Sequence, residues 1–547
     1  MMFLWSRMTN GKKRPVTTLL IVFFLMGLNF CAPDRKQNVI LITLDTQRAD
    51  YISAYSSQFA HTPNIDSLAE DSVLFENCYS PIPITLPAHA SLFYSQLPSQ
   101  LQVYNNGDVF NGEGKESLAE IFQKKGYATG AFVSLGVLKE KFGLSNGFDT
   151  YDDDFPPEKW YLTAAEINQK AYGWLERNKL QDFFLWIHYS DPHGPYSPPG
   201  EPPDLKIYVN DVFHKELCLD KNRIEELDVQ LKRGQNVVKL EVINAFNDDP
   251  ARNRARLDLF EVIPAAEKDA PRIEFGAGAI KRDHRGTINI YLREEAHLNI
   301  FSNTEPHSVK IKLRGRLLLK PEGCQAMYKK EVEFMDGEIG RLFNRLKSLD
   351  LYDNTLIVVV GDHGEGLGEY RFPGGAPHIG HIHFLNSLYI EVPYLIHSPH
   401  LKKKGERIAT PVSIIDVAPT LLGLLGWKQT EDMMGKNALK IKKRNRHPSA
   451  IFGETYEPQS FYTSFCLIRY PWHLIITPQK RKYELYDLSK DPLERQNLYP
   501  GSQARKEILD LKTELNDYIR TSLAMKVPDK EKDKDTLEML KSLGYIK

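Results

Sequence analysis

Two largely apolar runs, Asn38 to Leu44 (NVILITL) and Leu356 to Val360 (LIVVV), constrain the fold of this chain more than any other feature. Both are rich in β-branched residues, and neither shows the polar alternation of a strand with one wet face. Each leads directly to an acid: Asp45 after the first, Gly361-Asp362-His363 after the second. Runs of this kind suit strands buried on both faces, as in parallel sheets covered by helices. Phe183 to His188 reads as another such strand, and Tyr127 to Ser134 as a fourth. Helical periodicity recurs at Asn64 to Ala69, Ser117 to Lys125, Ala164 to Asn178 and Met327 to Leu349. Strands alternating with helices predict an α/β fold on a mostly parallel sheet flanked by helices. Ligands bind such sheets beyond the carboxyl ends of the strands. Asp45, the Tyr189-to-His193 segment and Asp362-His363 all fall just past predicted strand ends, so one shared site is expected.

The rhythm changes between residues 201 and 325. Leu227, Val229 and Leu231 alternate with polar residues, Arg233 to Asn236 makes a turn, and Val238, Leu240 and Val242 alternate again. Ile288 and Ile290, then Val309, Ile311 and Leu313, repeat the period of two. Several short strands with turn signals predict an inserted β-sandwich-like domain. It splits the main domain into 36–200 and 326–449. From residue 450 to 547, short strands (Leu467 to Arg469, His473 to Ile476) and helices (Arg505 to Ser522, Asp535 to Leu543) predict a smaller C-terminal α+β part.

At the N-terminus, Arg7, Lys12, Lys13 and Arg14 precede the apolar run Pro15 to Phe30. A basic stretch before such a run reads as an export signal in residues 1–31. Cys31 directly after it adds a lipoprotein reading, and an uncleaved membrane anchor is the third. All three place the rest of the chain outside the cytoplasmic membrane, in the cell envelope or periplasm, with membrane association through the N-terminus. Export permits disulfides, and Cys78, Cys218, Cys324 and Cys466 leave three pairings open without any zinc-ligand spacing. The 70 basic residues nearly balance the 71 acidic ones, which argues against a nucleic-acid partner.

Thr85 lies in Pro83-Ile84-Thr85-Leu86-Pro87-Ala88-His89-Ala90-Ser91. Alone it would be an ordinary N-cap for a helix beginning near Ala88. Set beside Asp45, Asp362 and His363, it is a hydroxyl surrounded by oxygen and nitrogen ligands. A threonine hydroxyl is a poor nucleophile at neutral pH, and a divalent cation lowers its pKa and orients it.

Seven segments in order carry a resemblance: LITLDTQRADYISAY (41–55), HTPNIDSLAEDSVLFENCYSPIPITLPAHASL (61–92), KFGLSNGFDTYDDDF (141–155), FFLWIHYSDPHGPY (183–196), DGEIGRLFNRL (336–346), VVVGDHGEGLGE (358–369) and YELYDLSKDPLERQNL (483–498). With them the chain resembles the sulfatase family of the alkaline-phosphatase superfamily, and the resemblance implies that fold for the main domain. It implies Asp45, Thr85, Asp362 and His363 as metal ligands, with Thr85 also the nucleophile. It sets His89 where an arginine stands beside the nucleophile, and His193 as a contact to the ester oxygens. His383, or alternatively His381, falls where a lysine or histidine precedes Ser387-Leu388-Tyr389. His193, His381 and His383 would then bind substrate or protonate the leaving group.

The implied cofactor is a divalent ion (Mn, Zn, Ca or Mg). Carboxylates with imidazole suit Mn or Zn better than Ca. The sequence departs from the family in ways that bear on chemistry. Thr85 cannot become formylglycine, so none is expected; Thr46 stands where many members carry a second acid, and His363 replaces an amide. A sulfated threonine lacks the elimination open to a formylglycine hydrate and must wait for water, whereas a phosphothreonine is resolved by water or an acceptor alcohol. The expected activity is therefore hydrolysis of sulfate or phosphate esters on a small molecule, glycan or lipid. The alternatives are a phosphodiesterase or phosphotransferase acting on envelope lipids or glycans, and a catalytically degenerate protein that binds glycans through the β insert.

Overall fold

The computed structural model describes residues 36–547 apart from 157–158, 195, 200–203, 218, 220–223, 244–254, 265–270, 285–286, 293–294, 303–306, 318, 373, 402–403, 442–449, 503–504, 528–530, 544 and 546–547. The predicted export segment, residues 1–31 with Cys31, lies outside the described residues, as does Cys218. Among the described residues no helix is long and apolar enough to cross a membrane. Cys78, Cys324 and Cys466 are buried and lie outside any disulfide among the described residues.

The strands of the main sheet are β1 (Asn38–Leu44), β2 (Ser72–Phe75), β3 (Ala128–Phe132), β4 (Thr150–Asp152), β5 (Phe183–Tyr189), β6 (Thr355–Gly361), β7 (Tyr394–His397) and β8 (Glu406–Ile408). They lie in the order β8-β2-β7-β6-β1-β5-β3-β4. β6, β1, β5, β3 and β4 pair in parallel, and only β7 runs against both of its neighbours, β6 and β2. The expected α/β architecture on a mostly parallel sheet is therefore present. β1, β5 and β6 are buried along their whole length, and their side chains divide between two cores. Val39, Leu41, Phe184, Trp186, Val358 and Val360 face one; Ile40, Ile42, Leu185, Ile187, Ile357 and Val359 face the other. The continuous apolar run follows from this, because each pleat direction has a dry core to fill.

On one face lie helices α1 (Pro63–Glu70), α3 (Ala164–Asn178) and α4 (Pro321–Ser348). On the other lies α2 (Thr85–Tyr94), buried throughout. Between residues 205 and 317 stand two five-stranded antiparallel sheets around a core of their own. The strands Glu225–Leu231 and Gly234–Val242 belong to opposite sheets, so the turn between them crosses the sandwich. Asn236 pins that crossing: its Oδ1 accepts from the Lys232 N–H at 3.0 Å and its Nδ2 donates to the Lys232 carbonyl at 2.8 Å.

The C-terminal region divides. A four-stranded antiparallel sheet over 451–487 packs against α5 (Lys506–Met525) through Phe465, Leu467, Leu474, Leu511 and Leu515. The last helix, α6 (Lys534–Ser542), does not join them as the sequence suggested. It puts Met539 and Leu540 into the same core as α2, so the end of the chain returns to the main domain.

Candidate active site

Register sets the site. Leu44 of β1 pairs with Gly361 of β6 on one side and with Tyr189 of β5 on the other. The next residues of all three strands therefore leave the sheet at one edge. The ladder runs one step further: the Asp45 N–H donates to the Tyr189 carbonyl at 2.8 Å, and the Asp362 N–H to the Leu44 carbonyl at 3.2 Å. Thr46 then turns the chain with φ +55, a left-handed conformation that costs a β-branched residue energy. Three hydrogen bonds hold it there. Its N–H donates to Asp362 Oδ1 at 3.1 Å, its hydroxyl to the Asp45 carbonyl at 2.7 Å, and its carbonyl accepts from the Tyr328 phenol at 2.7 Å.

Asp45, Asp362 and His363 are fully buried, and one ligand atom from each lies within 4.8 Å of the others. Asp362 Oδ1 accepts two backbone N–H groups, from Thr46 and from His363 (2.6 Å). Among the described residues, Asp362 Oδ2 and both oxygens of Asp45 have no hydrogen-bond partner. His363 Nδ1 lies 3.0 Å from the Gly364 carbonyl, which can only accept, so Nδ1 carries the proton and Nε2 a lone pair. That nitrogen stands 3.4 Å from Asp362 Oδ2 and 3.8 Å from Asp45 Oδ1. Three carboxylate oxygens without donors and an imidazole lone pair facing one another in a dry pocket are costly on their own. A divalent cation satisfies all four, and the donor set fits one.

The electrostatics are uneven. Burial alone would raise the Asp45 carboxyl, but His188, His193 and His363 outweigh it and hold it well below the usual range. Burial, then the Asp45 charge, pushes Asp362 well above it. Burial and the neighbouring His381 push His363 well down, which keeps its lone pair available.

Thr85 is the first residue of α2, with Ile84 at the N-cap position. The helix begins three residues earlier than expected, and the Thr85 hydroxyl is spared from capping. Its Oγ1 lies 3.3 Å from His363 Nε2 and 3.3 Å from the Tyr545 hydroxyl.

His89 sits one turn on, and both of its ring nitrogens are occupied. Nδ1 donates to the Thr85 carbonyl at 2.8 Å, and Nε2 accepts from the Thr43 hydroxyl at 3.0 Å. Burial lowers its pKa to about 3, so the ring is neutral. At the position where the family carries an arginine beside the nucleophile, His89 thus has both ring nitrogens engaged within the protein and ties the first turn of α2 to β1.

His193, 7 % exposed, donates from Nδ1 to the Gly194 carbonyl at 2.8 Å and meets the Tyr545 hydroxyl with Nε2 at 2.7 Å. Its neighbour Asp191 turns away and accepts the Ala164 N–H at the start of α3, at 3.0 Å and 3.1 Å.

Of the two histidines near residue 382, His381 is the one at the site. Its ring centroid lies 4.5 Å from that of His363 and 5.1 Å from that of His193. Its Nδ1 is held by Glu365 Oε2 at 2.7 Å, leaving Nε2 without a hydrogen bond. His383 is turned outward, against His378 (3.0 Å), Phe372 and Phe461. Ile382 between them has φ +73 and donates its N–H to the Pro83 carbonyl at 3.2 Å. This strained residue sends the two histidines in opposite directions, so the preference for His383 is corrected in favour of His381.

Three residues at the site escaped the sequence reading. His188 lies with Nε2 3.4 Å from Asp45 Oδ2, and its Nδ1 is 2.8 Å from the Ser134 hydroxyl. Its signal was a lone polar residue within an apolar strand, FFLWIHY. Glu365 holds His381 and accepts from the Tyr196 phenol at 2.8 Å; a buried acid between two glycines in GDHGEG was its signal. Tyr545, at the far end of the chain, gave none.

A family model described as Sulfatase matches residues 37–427. The chain belongs to the sulfatase family. It is a hydrolase of the sulfuric-ester class by that membership. A second model, described as N-sulphoglucosamine sulphohydrolase, C-terminal, matches residues 382–521 of this sulfatase-family chain. An N-acetylglucosamine-6-O-sulfatase of Bacteroides thetaiotaomicron is 24% identical over 93% of this chain and 92% of its own. An arylsulfatase of Clostridium perfringens is 24% identical over 91% and 95%. Among solved structures, one in complex with its substrate D-glucosamine-2-N,6-O-disulfate superposes with TM-score 0.58 at 17% identity, covering 90% of this chain and 99% of its own. The phosphonate monoester hydrolase of Agrobacterium radiobacter superposes with TM-score 0.53 at 17% identity, covering 90% and 96%. At these identities the structural likeness speaks to the fold alone.

Proposed function

We propose that this sulfatase-family chain is a metal-dependent ester hydrolase in which the Thr85 hydroxyl, unconverted, is the nucleophile. One observation carries the reading: that hydroxyl lies at hydrogen-bond distance from the lone pair of His363, beside three buried carboxylate oxygens that no donor among the described residues satisfies. Asp45, Asp362 and His363 would hold a divalent cation, with Mn or Zn favoured by the mixed donor set. Such an ion lowers the pKa of a hydroxyl and draws off negative charge from ester oxygens. Thr85 at the first turn of α2 adds the partial positive charge of a helix N-terminus. His381, fixed by Glu365, holds Nε2 toward the site, from where a proton carried on it reaches the leaving oxygen.

The substrate is read as a sulfate or phosphate ester on a glycan or lipid. The sulfated-sugar relatives support the glycan. The threonine supports phosphoryl transfer as well, because its ester is cleared by attack of water rather than by elimination. The basic-then-apolar N-terminus supports work outside the cytoplasmic membrane.

The test is a matched set of aryl sulfate, phosphate monoester, phosphodiester and phosphonate, assayed with a metal series. Turnover should vanish on chelation and in Thr85→Ala, and a substrate pulse should leave a mass adduct on the peptide carrying Thr85. Turnover unchanged by either perturbation would sink the reading.

A further inference from the structure

The C-terminal helix α6 is built into the main domain. Asp533 caps it, its Oδ1 accepting the Thr536 N–H at 2.8 Å, and Lys141 reaches across to the Thr536 hydroxyl at 2.7 Å. Met539, Leu540 and Leu543 enter the core that also holds α2. The seat is tight: a Cβ on Gly136 would come within 2.9 Å of the Met539 sulfur. The chain then turns back, the Tyr545 N–H donating to the Leu540 carbonyl at 2.8 Å, and the ring enters the same core with 7 % exposure. Tyr545 is thus anchored by packing; its ring also lies against those of His193 and His381, with centroids 5.6 Å and 5.7 Å away, and its hydroxyl reaches into the polar site. There it touches two groups, Thr85 Oγ1 at 3.3 Å and His193 Nε2 at 2.7 Å.

The direction of this hydrogen-bond chain is set by its far end. The Gly194 carbonyl only accepts, so His193 Nδ1 donates to it; in the neutral form of the ring that places the lone pair on Nε2, toward Tyr545. The Tyr545 O–H then donates to His193, and its oxygen lone pairs are left to accept from Thr85. His363 Nε2 is the other acceptor within reach of the Thr85 hydroxyl, and a cation on His363 would claim that lone pair.

We propose that Tyr545 is a catalytic residue that relays the Thr85 proton to His193. As Thr85 Oγ forms its bond to the sulfur or phosphorus, its proton passes to the Tyr545 oxygen while the Tyr545 proton passes to His193 Nε2. The ester's leaving oxygen departs with the bonding pair. His193 ends as imidazolium, Tyr545 as neutral phenol and Thr85 as the ester. This inference rests on Thr85 as nucleophile, and the experiment separates the two.

Tyr545→Phe keeps the ring and removes only the hydroxyl. The expected result is kcat lower by about 10²-fold, the scale of a lost proton-transfer partner, with KM and melting temperature unchanged. The single-turnover rate of adduct formation on Thr85 should fall by the same factor. His193→Gln should do similar damage, and the double variant no more than either single one, because residues acting as a unit are not additive. A merely structural role would give additive losses and a lower melting temperature, and would overturn the relay. Tyr545→Phe within twofold of wild type would also overturn it. So would a rise in kcat/KM, since the phenol would then be occupying the ester's place. If Thr85→Ala remains active, the nucleophile assignment itself has failed; if Thr85→Ala is dead while Tyr545→Phe is normal, only the relay has.

Discussion

Asp362→Asn should stabilise the metal-free protein and destabilise it relative to wild type once metal is present. In chelator, Asp362 Oδ2 is a buried carboxylate oxygen with no donor, facing a second buried acid. Burial beside Asp45 makes the carboxyl hold a proton that the unfolded chain gives up to water at neutral pH, and that enforced protonation costs roughly 2 kcal/mol or more. Asparagine keeps the Oδ1 that accepts the Thr46 and His363 N–H groups. It places an amide N–H where Oδ2 stood, able to donate toward Asp45. Unfolding entropy of about 2.1 cal/mol/K per residue gives a chain of 547 residues roughly 1 °C per kcal/mol. The variant should therefore melt about 2 °C above wild type in chelator. At metal one hundred times above its Kd, wild type gains about 2.7 kcal/mol, or about 3 °C, and the variant gains little, so the order reverses.

The pH dependence has a definite sign. Burial raises Asp362 in the folded state, so the metal-free fold holds a proton that the unfolded chain releases above about pH 4. Stability of the chelated wild type should fall as pH rises from there, and the variant should lack that slope. Differential scanning calorimetry of both proteins, with and without metal, reads all of this. A variant that melts below wild type in chelator would mean that Oδ2 has a donor after all, and the argument for a cation site would fall with it.

His381→Ala should lower kcat at least 100-fold while His383→Ala stays within about fivefold, because only the first ring touches His363 and His193; equal effects in steady-state assays would refute the assignment. Glu365→Ala should cost about 10- to 100-fold in kcat with the circular dichroism spectrum unchanged, the usual toll of losing the partner that orients a functional histidine. In the C-terminal sheet, burial lowers His473 but Glu494 outweighs it and raises its pKa to about 10. That pair should contribute stability in full below about pH 6.5 and lose it as pH climbs through about 10. Glu494→Gln should cost about 3–5 kcal/mol at neutral pH and converge with wild type in alkaline urea titrations; a constant gap across pH would refute the pairing.

The fold was legible where burial is two-sided. NVILITL and FFLWIHY show their state directly, because each pleat direction faces its own apolar core and nearly every position is apolar. Ala164–Asn178 was readable to the residue, since Thr163 and Glu166 form a capping box in front of an amphipathic run. β7 was not read: Tyr394–His397 is four residues long, too short for a period, and its place against β6 comes from the sheet. The insert's alternation was visible, but alternation names a face and not a partner. The two strands joined at Lys232-Arg233 therefore gave no sign of lying in opposite sheets.

The site was legible in the same measure. Asp45 and Asp362-His363 announce themselves because a buried strand that ends on charge must satisfy that charge somewhere. Orientation does not announce itself. His381 and His383 are two residues apart in a loop, and spacing alone could not rank them. The choice is made by Ile382 at φ +73, a strained conformation maintained by its hydrogen bond to Pro83, two residues before Thr85. Contact order hides the rest. Tyr545 meets Thr85 across 460 residues, and nothing local to either position encodes the meeting. What brings them together is that α2 and α6 share one core. The packing that buries Met539 and Leu540 is therefore also what sets a phenol against Thr85, and changes to the apolar face of α6 should be felt in catalysis before they are felt in the fold.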